Sequence, residues 1–429
     1  MFQIKGFFNP YLPAGETRLD AVLTVTSDAQ AVTAGGGRKV VGFVIDISGS
    51  MAKDGKLLAA KLAARRGIDL LPEDVWFFVV VFSARATVIV RACQATPENK
   101  DRAHAEIQNL DASGSTAMSL ALRSACSEVR ASGAEIASVY FETDGDNDLT
   151  DNDRLPAALE ECQGVFQADC RGIGTDWKPA QLRRIATALL GTADAIPDPA
   201  GIEQDFREFL TRSLSKGIAN ATLRLWSPKV VKITTVKQVS PEIVDLLPLS
   251  TRADDKTIDV PLGAWAAETR DYQVAFQLPA GAVGDVMGAC RAAIVFQDGR
   301  GGETKVDAEP IAVTWSEDAA LTTRMVREVA HYNGQGELAA SIQEGLEARA
   351  SGDEDRATRL LGRAAQIAAQ SGNEEVTRRL KKVVDVLDAA AGTVRLRRAD
   401  KGAEMELELG ATRTVRRRTG TSPATGEQV

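Results

Sequence analysis

"KVVGFVIDISGSMAK", residues 39–53, decides the fold class. A nearly continuous apolar run from Val40 to Ile45 ends in Asp46. Two serines spaced two apart, Ser48 and Ser50, follow with Gly49 between them. An apolar run bounded by small polar residues predicts a strand buried on both faces, closing in a turn. KLLAAKLAARRGIDLL then places apolar residues three and four apart, which predicts an amphipathic helix. DVWFFVVVFS and ATVIVRA read as two strands joined by a tight turn at Ala84–Arg85, and TPENKDRAHAEIQNL as a polar helix with Pro97 near its start. ASVYFETDG (137–145) is a second strand running into acids. Two more strand–helix units follow, FQADCRGIG before KPAQLRRIATALLG and TADAIPD before GIEQDFREFLTRSLSKG. Strands alternating with helices predict an α/β, doubly wound, Rossmann-like sheet over residues 36–217.

The pattern changes on either side. Residues 218–316 hold short strands such as ATLRLW, VVKITTVKQV, DYQVAFQLP and IAVTW, separated by Pro, Gly and Asp turns. With no helical period between them, they predict an antiparallel β-sandwich. In the N-terminal segment 1–35, RLDAVLTVT sets Leu19, Ala21, Leu23 and Val25 on one face, and an isolated strand is not stable alone. The sandwich is its expected home, which makes the α/β block an insertion; pairing with the edge of the α/β sheet is the alternative. Residues 317–391 return to helical period at Leu321/Met325/Val329, Leu338/Ile342/Leu346 and Val376/Leu380/Val383/Leu387. The hinges SGDEDRA (351–357) and SGNEEVT (371–377) each put Gly past one helix and an Asp or Asn cap before the next, so a small helical bundle is expected. Residues 392–429 read as a charged, largely disordered tail.

Composition narrows the function classes. The chain has 429 residues, more than a single core sustains, and a net charge of −8, which argues against broad nucleic-acid binding. No stretch approaches the roughly 20 apolar residues of a membrane span, and the N-terminus lacks the apolar core of a signal peptide. Five cysteines form no CxxC pair, which suits reduced thiols and predicts a cytoplasmic protein. The two histidines, His104 and His331, both fall in helical segments, so a Ser/His/Asp triad or a zinc site is not expected.

Ligands of doubly wound sheets bind beyond the carboxyl ends of the strands, where strand order reverses. Three polar clusters fall at such ends: Asp46–Ser48–Ser50, Ser115–Thr116 before a helix, and Asp144 after VYFET. Hydroxyl and carboxylate oxygens with no neighbouring imidazole or thiolate suit a hard divalent cation, and few carboxylates favour Mg²⁺ over Ca²⁺. A capping loop explains the serines equally well, but not Asp144. The acid run ETDGDNDLTDND (142–153) starts like an EF-hand loop, yet its sixth and twelfth positions are Leu149 and Leu155. It reads instead as a solvated acidic rim.

Asp46, Ser48, Ser50, Thr116 and Asp144, with Gly145 after the last, resemble the metal-ion-dependent adhesion site of von Willebrand factor A-type domains. The resemblance covers about residues 39–216, and the hairpin at Ala84–Arg85 fits the family's one antiparallel edge strand. It implies a Mg²⁺ (or Mn²⁺) site in which the serines and Thr116 bind the metal directly. Asp46 and Asp144 act directly or through water, and Gly49, Ser115, Gly145 and Asp146 form the rim. It also implies a non-enzymatic module that docks a protein partner through an exposed Asp or Glu. Two alternatives stand beside it. One is a subunit of an ATPase-driven assembly of the MoxR or chelatase kind. The other is a Mg²⁺-dependent phosphohydrolase, which would need a second Asp where Ser48 stands and a lysine that the sequence does not place.

Thr412 and Thr414 lie in GATRTVRRRTG (410–420), which has four arginines and no acid. Thr412 followed by Val415 resembles the phosphothreonine pattern read by forkhead-associated domains. Because bacterial relatives of this kind accompany Ser/Thr kinases and phosphatases, these threonines are candidate phosphosites in a signalling system, with such a domain or a kinase as partner.

Overall fold

Runs of Val, Ile and Phe long enough to be buried on both faces build the centre of the molecule. The computed structural model describes residues 2–28, 37–297, 302–398 and 400–416. Its six-stranded sheet has the order Ala86–Gln94, Trp76–Phe82, Lys39–Asp46, Ile136–Thr143, Gln167–Ile173 and Ala193–Ile196. All neighbours are parallel except the edge strand Ala86–Gln94. Side chains alternate between two cores, because successive strand residues point to opposite faces. Val40, Val44, Phe78, Val80 and Phe141 face the helix Met118–Ser132, whereas Val41, Phe43, Ile45, Phe77 and Val79 face Lys56–Asp69 and Ile202–Ser215. From Lys39–Asp46 the chain first adds Trp76–Phe82 on one side and later Ile136–Thr143 on the other. Strand order therefore reverses between Asp46 and Thr143, where a crevice opens.

Two further sheets enclose a second core around Trp265, Trp315, Tyr272 and Phe2. One sheet runs Phe2–Phe8, Arg18–Ser27, Thr269–Gln277, Lys232–Ser240 and Val244–Asp245. The other contains Thr257–Trp265, Ile218–Trp226, Val286–Gln297, Ile311–Ser316 and Tyr11–Pro13. Arg18–Ser27 pairs antiparallel with Thr269–Gln277, putting Leu23 opposite Tyr272 and Ala21 opposite Val274. Leu19, Ala21, Leu23 and Val25 all enter this core.

The helices Arg327–Ala350, Glu354–Ser371 and Glu374–Val383 follow. Asp353 accepts from Arg356 N and Asn373 from Val376 N, each supplying a partner that the first helical turn lacks. Leu387 was expected on a helix face, but the last of these helices stops at Val383. Val384–Asp388 pairs with Thr393–Leu396 as a hairpin, and Leu387 is exposed. The β-branched alternation of VVDV outweighs helical propensity there.

The expected disordered tail from residue 392 is also corrected. Lys401–Gly410 is a helix capped by Asp400. Its apolar residues serve two cores: Met405 and Leu409 join the α/β core, whereas Ala403, Leu407 and Ala411 join the helical one. A helix buried on two flanks shows no single stripe, so its charged remainder dominates the sequence reading. Beyond it, residues 411–416 are held in place. Thr412 Oγ1 donates to Glu242 Oε1 at 2.7 Å, and Thr414 Oγ1 to the Val239 carbonyl at 2.6 Å. Ile243 N donates to Thr412 O, and Thr414 N to Pro241 O. The two candidate phosphosites are thus engaged hydroxyls in a packed strap, not an extended chain open to a kinase. The remainder of the expected tail, 417–429, and the expected boundary between 35 and 36 lie outside the described residues.

Candidate metal centre

Asp46 ends the central strand and is fully buried. Its Oδ1 accepts from Ser48 N at 2.7 Å and its Oδ2 from Thr143 Oγ1 at 2.5 Å. The first of these bonds curls the chain so that Ser48 and Ser50 return over the strand end, with Met51 buried beneath. Ser48 Oγ lies 3.1 Å from Ser50 Oγ, and Ser50 Oγ donates to Asp144 Oδ1 at 2.6 Å. Asp144, also fully buried, follows the neighbouring strand Ile136–Thr143. Thr116 arrives from a third loop. A Cβ added to Gly145 would lie 3.4 Å from Thr116 Oγ1 and 3.6 Å from Ser50 Oγ, so both hydroxyls look onto the same bare backbone. Asp46, Ser48, Ser50, Thr116 and Asp144 are brought together at the reversal of strand order.

The rim residues are placed by the same loops. Gly49 N donates to Gly114 O at 2.9 Å, tying the first loop to the second. Ser115 Oγ donates to Asp148 Oδ2 at 2.5 Å, and Asp146 pairs with Lys178 at 2.6 Å. The acidic run is less solvated than its composition suggests, because much of it caps a helix. Met118–Ser132 begins without a side-chain cap of its own. Asn147 Oδ1 accepts from Met118 N at 2.9 Å, and Asp151 accepts from both the N and the Oγ of Ser119. Carboxylates and amides at this end also oppose the positive end of the helix dipole.

Three features escaped the sequence reading. Lys56, first residue of the helix Lys56–Asp69, is buried and places Nζ 2.8 Å from Asp144 Oδ2. The available signal was a cation at the start of a helix, ten residues after Asp46, where helices favour acids. Thr143 holds Asp46 in place. Glu142 is buried on the sheet beside the site, with Oε1 unpartnered among the described residues. Burial, with Asp46 and Asp205 nearby, pushes its carboxyl up to about 8. Burial likewise raises the Asp46 carboxyl to about 6, opposed by the hydrogen bonds from Thr143 and Ser48. His104 instead meets Arg65 O and Asp69, and His331 meets Val415 O.

Among the described residues no group of three or more His, Cys, Asp or Glu side chains is placed to hold a metal ion. This site has two carboxylates and three hydroxyls, all oxygen donors. That set fits a hard cation that keeps part of its water shell, and it fits a soft metal poorly. The contrary charge on these five residues is the Lys56 ammonium at Asp144.

Comparison with known proteins identifies the family and the fold. A family profile described as von Willebrand factor type A domain matches residues 39–195, and one described as von Willebrand factor type A C-terminal domain matches 366–411. The second takes in the buried helix Lys401–Gly410. Among solved structures, a von Willebrand factor type A protein from Catenulispora acidiphila is 39% identical, with 97% of each chain covered and a TM-score of 0.88. The ArnB paralog VWA2 from Sulfolobus acidocaldarius is 16% identical over 96% of this chain and 98% of its own, with a TM-score of 0.60, a likeness of fold. No curated protein sequence matches the chain.

Proposed function

We propose, on the premise that this chain belongs to the von Willebrand factor type A family, that it is a metal-dependent protein-interaction module. Ser48, Ser50 and Thr116 hold Mg²⁺ (or Mn²⁺) through their hydroxyls, while Asp46 and Asp144 supply the negative charge, directly or through water. When bound, the ion would supply the positive charge that attracts a carboxylate from an Asp or Glu exposed on a protein partner. Asp46 accepts hydrogen bonds at both oxygens, which suits a role through water. The observation that carries the reading is the convergence of Ser48 Oγ, Ser50 Oγ and Asp144 Oδ1 within 3.1 Å steps, beside the bare Gly145 and the Thr116 hydroxyl.

The role is binding rather than catalysis. The nearest hydroxyls face carboxylates and one ammonium, a set of hard oxygen donors suited to holding an ion. Five free cysteines, four of them buried, support a reducing, cytoplasmic setting. Titration calorimetry of the full chain with Mg²⁺ and Mn²⁺ tests the site. One binding event is expected, lost in Asp46→Ala and Asp144→Ala with circular dichroism retained. Unchanged binding in both variants overturns the reading.

A further inference from the structure

Lys56 occupies a position that two physical costs oppose. It begins a helix, where the exposed N–H groups repel a cation, and that first turn has no acidic residue. The preceding Gly55, at φ 70, offers no side-chain cap either. The lysine is also 5% exposed, and a buried ammonium is rare unless paired. The fold nevertheless makes room for it. Gly174 sits at φ +68, and a Cβ there would come within 3.2 Å of Lys56 Cε and 3.3 Å of Nζ. The path therefore runs over a bare glycine to Asp144 Oδ2, 2.8 Å away, with side-chain exposures of 6% and 0% for the pair. Asp144 Oδ1 meanwhile accepts from Ser50, so the ammonium takes the oxygen that the hydroxyl leaves free.

We propose that Lys56 is a resident counter-cation of the metal centre: its ammonium and the divalent ion compete for Asp144, and the lysine is displaced when the ion binds. The inference rests on the metal reading above. It deepens that reading by naming the residue that sets how much metal the site requires. Without an ion, Lys56 keeps the Asp144 carboxylate neutralised and the three loops drawn together. With an ion bound, its charge opposes the metal and lowers the affinity. Partner docking through the metal then depends on the free divalent concentration, with Lys56 setting the threshold.

Calorimetric titration of Mn²⁺ into the full-length wild type, Lys56→Met and Lys56→Arg tests this. Removing a unit positive charge beside a dication should tighten binding by about tenfold even with strong solvent screening, whereas Lys56→Arg, which keeps the charge, should bind no tighter than wild type. Mn²⁺ should also raise the melting temperature of Lys56→Met more than that of wild type. Folded Lys56→Met that binds Mn²⁺ equally or more weakly overturns the competition and leaves the metal site standing. No binding by any of the three proteins overturns both. A second measurement needs no variant. In wild type with ¹⁵N-labelled lysine, saturating Mg²⁺ should shift one protected ammonium resonance, and no shift overturns the displacement.

Discussion

Two clusters of paired charge serve opposite purposes in this molecule. At the centre between Asp46 and Asp144, two carboxylates meet three hydroxyls and the single ammonium of Lys56. At the C-terminal strap, Asp194 and Glu375 meet the guanidinium groups of Arg379 and Arg413. The second cluster is closed: each carboxylate has two arginines, whose planar forks suit it geometrically. Burial acts to raise the Asp194 carboxyl, but Arg413 and Arg379 overcome that and hold it below the usual carboxylate range. The first cluster has two carboxylates and three hydroxyls for one cation, and that cation is a point charge on a flexible stem. Permanent arginine pairs join elements; a lysine among spare hydroxyls leaves a place where one cation can replace another.

The strap makes that difference consequential. Residues 412–416 reach the α/β strand Ala193–Ile196 through Asp194 and the sandwich through Glu242, Val239 and Asp271. They reach the helices through Glu375, and through His331, whose Nε2 lies 2.7 Å from Val415 O. Deleting 412–429 should therefore produce the largest effect, a loss of about 4 kcal/mol in urea unfolding, because it removes the Arg416 partner of buried Asp271, the Arg413 pairs to Asp194 and Glu375, and the hydrogen bonds of Thr412 and Thr414 together. Mn²⁺ affinity should not change. A parallel loss of metal binding would break the distinction between the clusters.

Asp144→Asn comes next, costing about 3 kcal/mol in metal-free buffer by stranding the Lys56 ammonium. Lys56→Met combined with Asp144→Asn should recover part of that loss, since replacing both members of a buried pair is milder than removing one. A double-mutant cycle from urea melts measures the coupling. Additivity would mean that the pair contributes nothing to holding the loops.

The smallest expected effect is a pH slope at another lysine, which lacks a direct carboxylate partner. Lys216 Nζ bonds the neutral Gln167 Oε1 at 2.9 Å and Ser138 Oγ at 3.2 Å. Burial lowers its ammonium to about 8 from 10.5, partly offset by Asp169 and Glu268 and reinforced by Arg270 and Arg212. Between those two values the unfolded chain holds the proton and the folded chain does not, so stability should rise with pH across that window. Partial solvent contact keeps the slope below the single-proton limit of about 1.4 kcal/mol per pH unit. Stability curves of wild type and Lys216→Met should run apart only there. Parallel curves would show that Lys216 stays charged.

Much of the architecture follows from short-range pattern. Apolar runs long enough to be buried on both faces predicted the parallel strands, and period two predicted Leu19, Ala21, Leu23 and Val25 in the second core. The hinge caps Asp353 and Asn373 were legible because a cap acts within three residues of itself. The chemistry of the centre was legible too, as hydroxyls and acids at strand ends with no base among them.

Other features required partners distant in sequence. The alternating apolar residues of Met405 to Leu409 acquire meaning only when two separate cores close on opposite flanks of one helix. Thr412 and Thr414 look free in a basic segment until Glu242 and Val239 O meet them across about 170 residues. Lys56 reads as a solvated helix residue until the sheet carries Asp144, 88 residues away, against it. The sequence alone determined most of the strands and helices, though not the hairpin of Val384–Asp388 with Thr393–Leu396 or the helix Lys401–Gly410, and which oxygens could hold a cation, because those depend mainly on neighbours along the chain. Only the tertiary structure decided which cation the free oxygen of Asp144 meets and which threonines are engaged, because burial and charge pairing depend on neighbours in space.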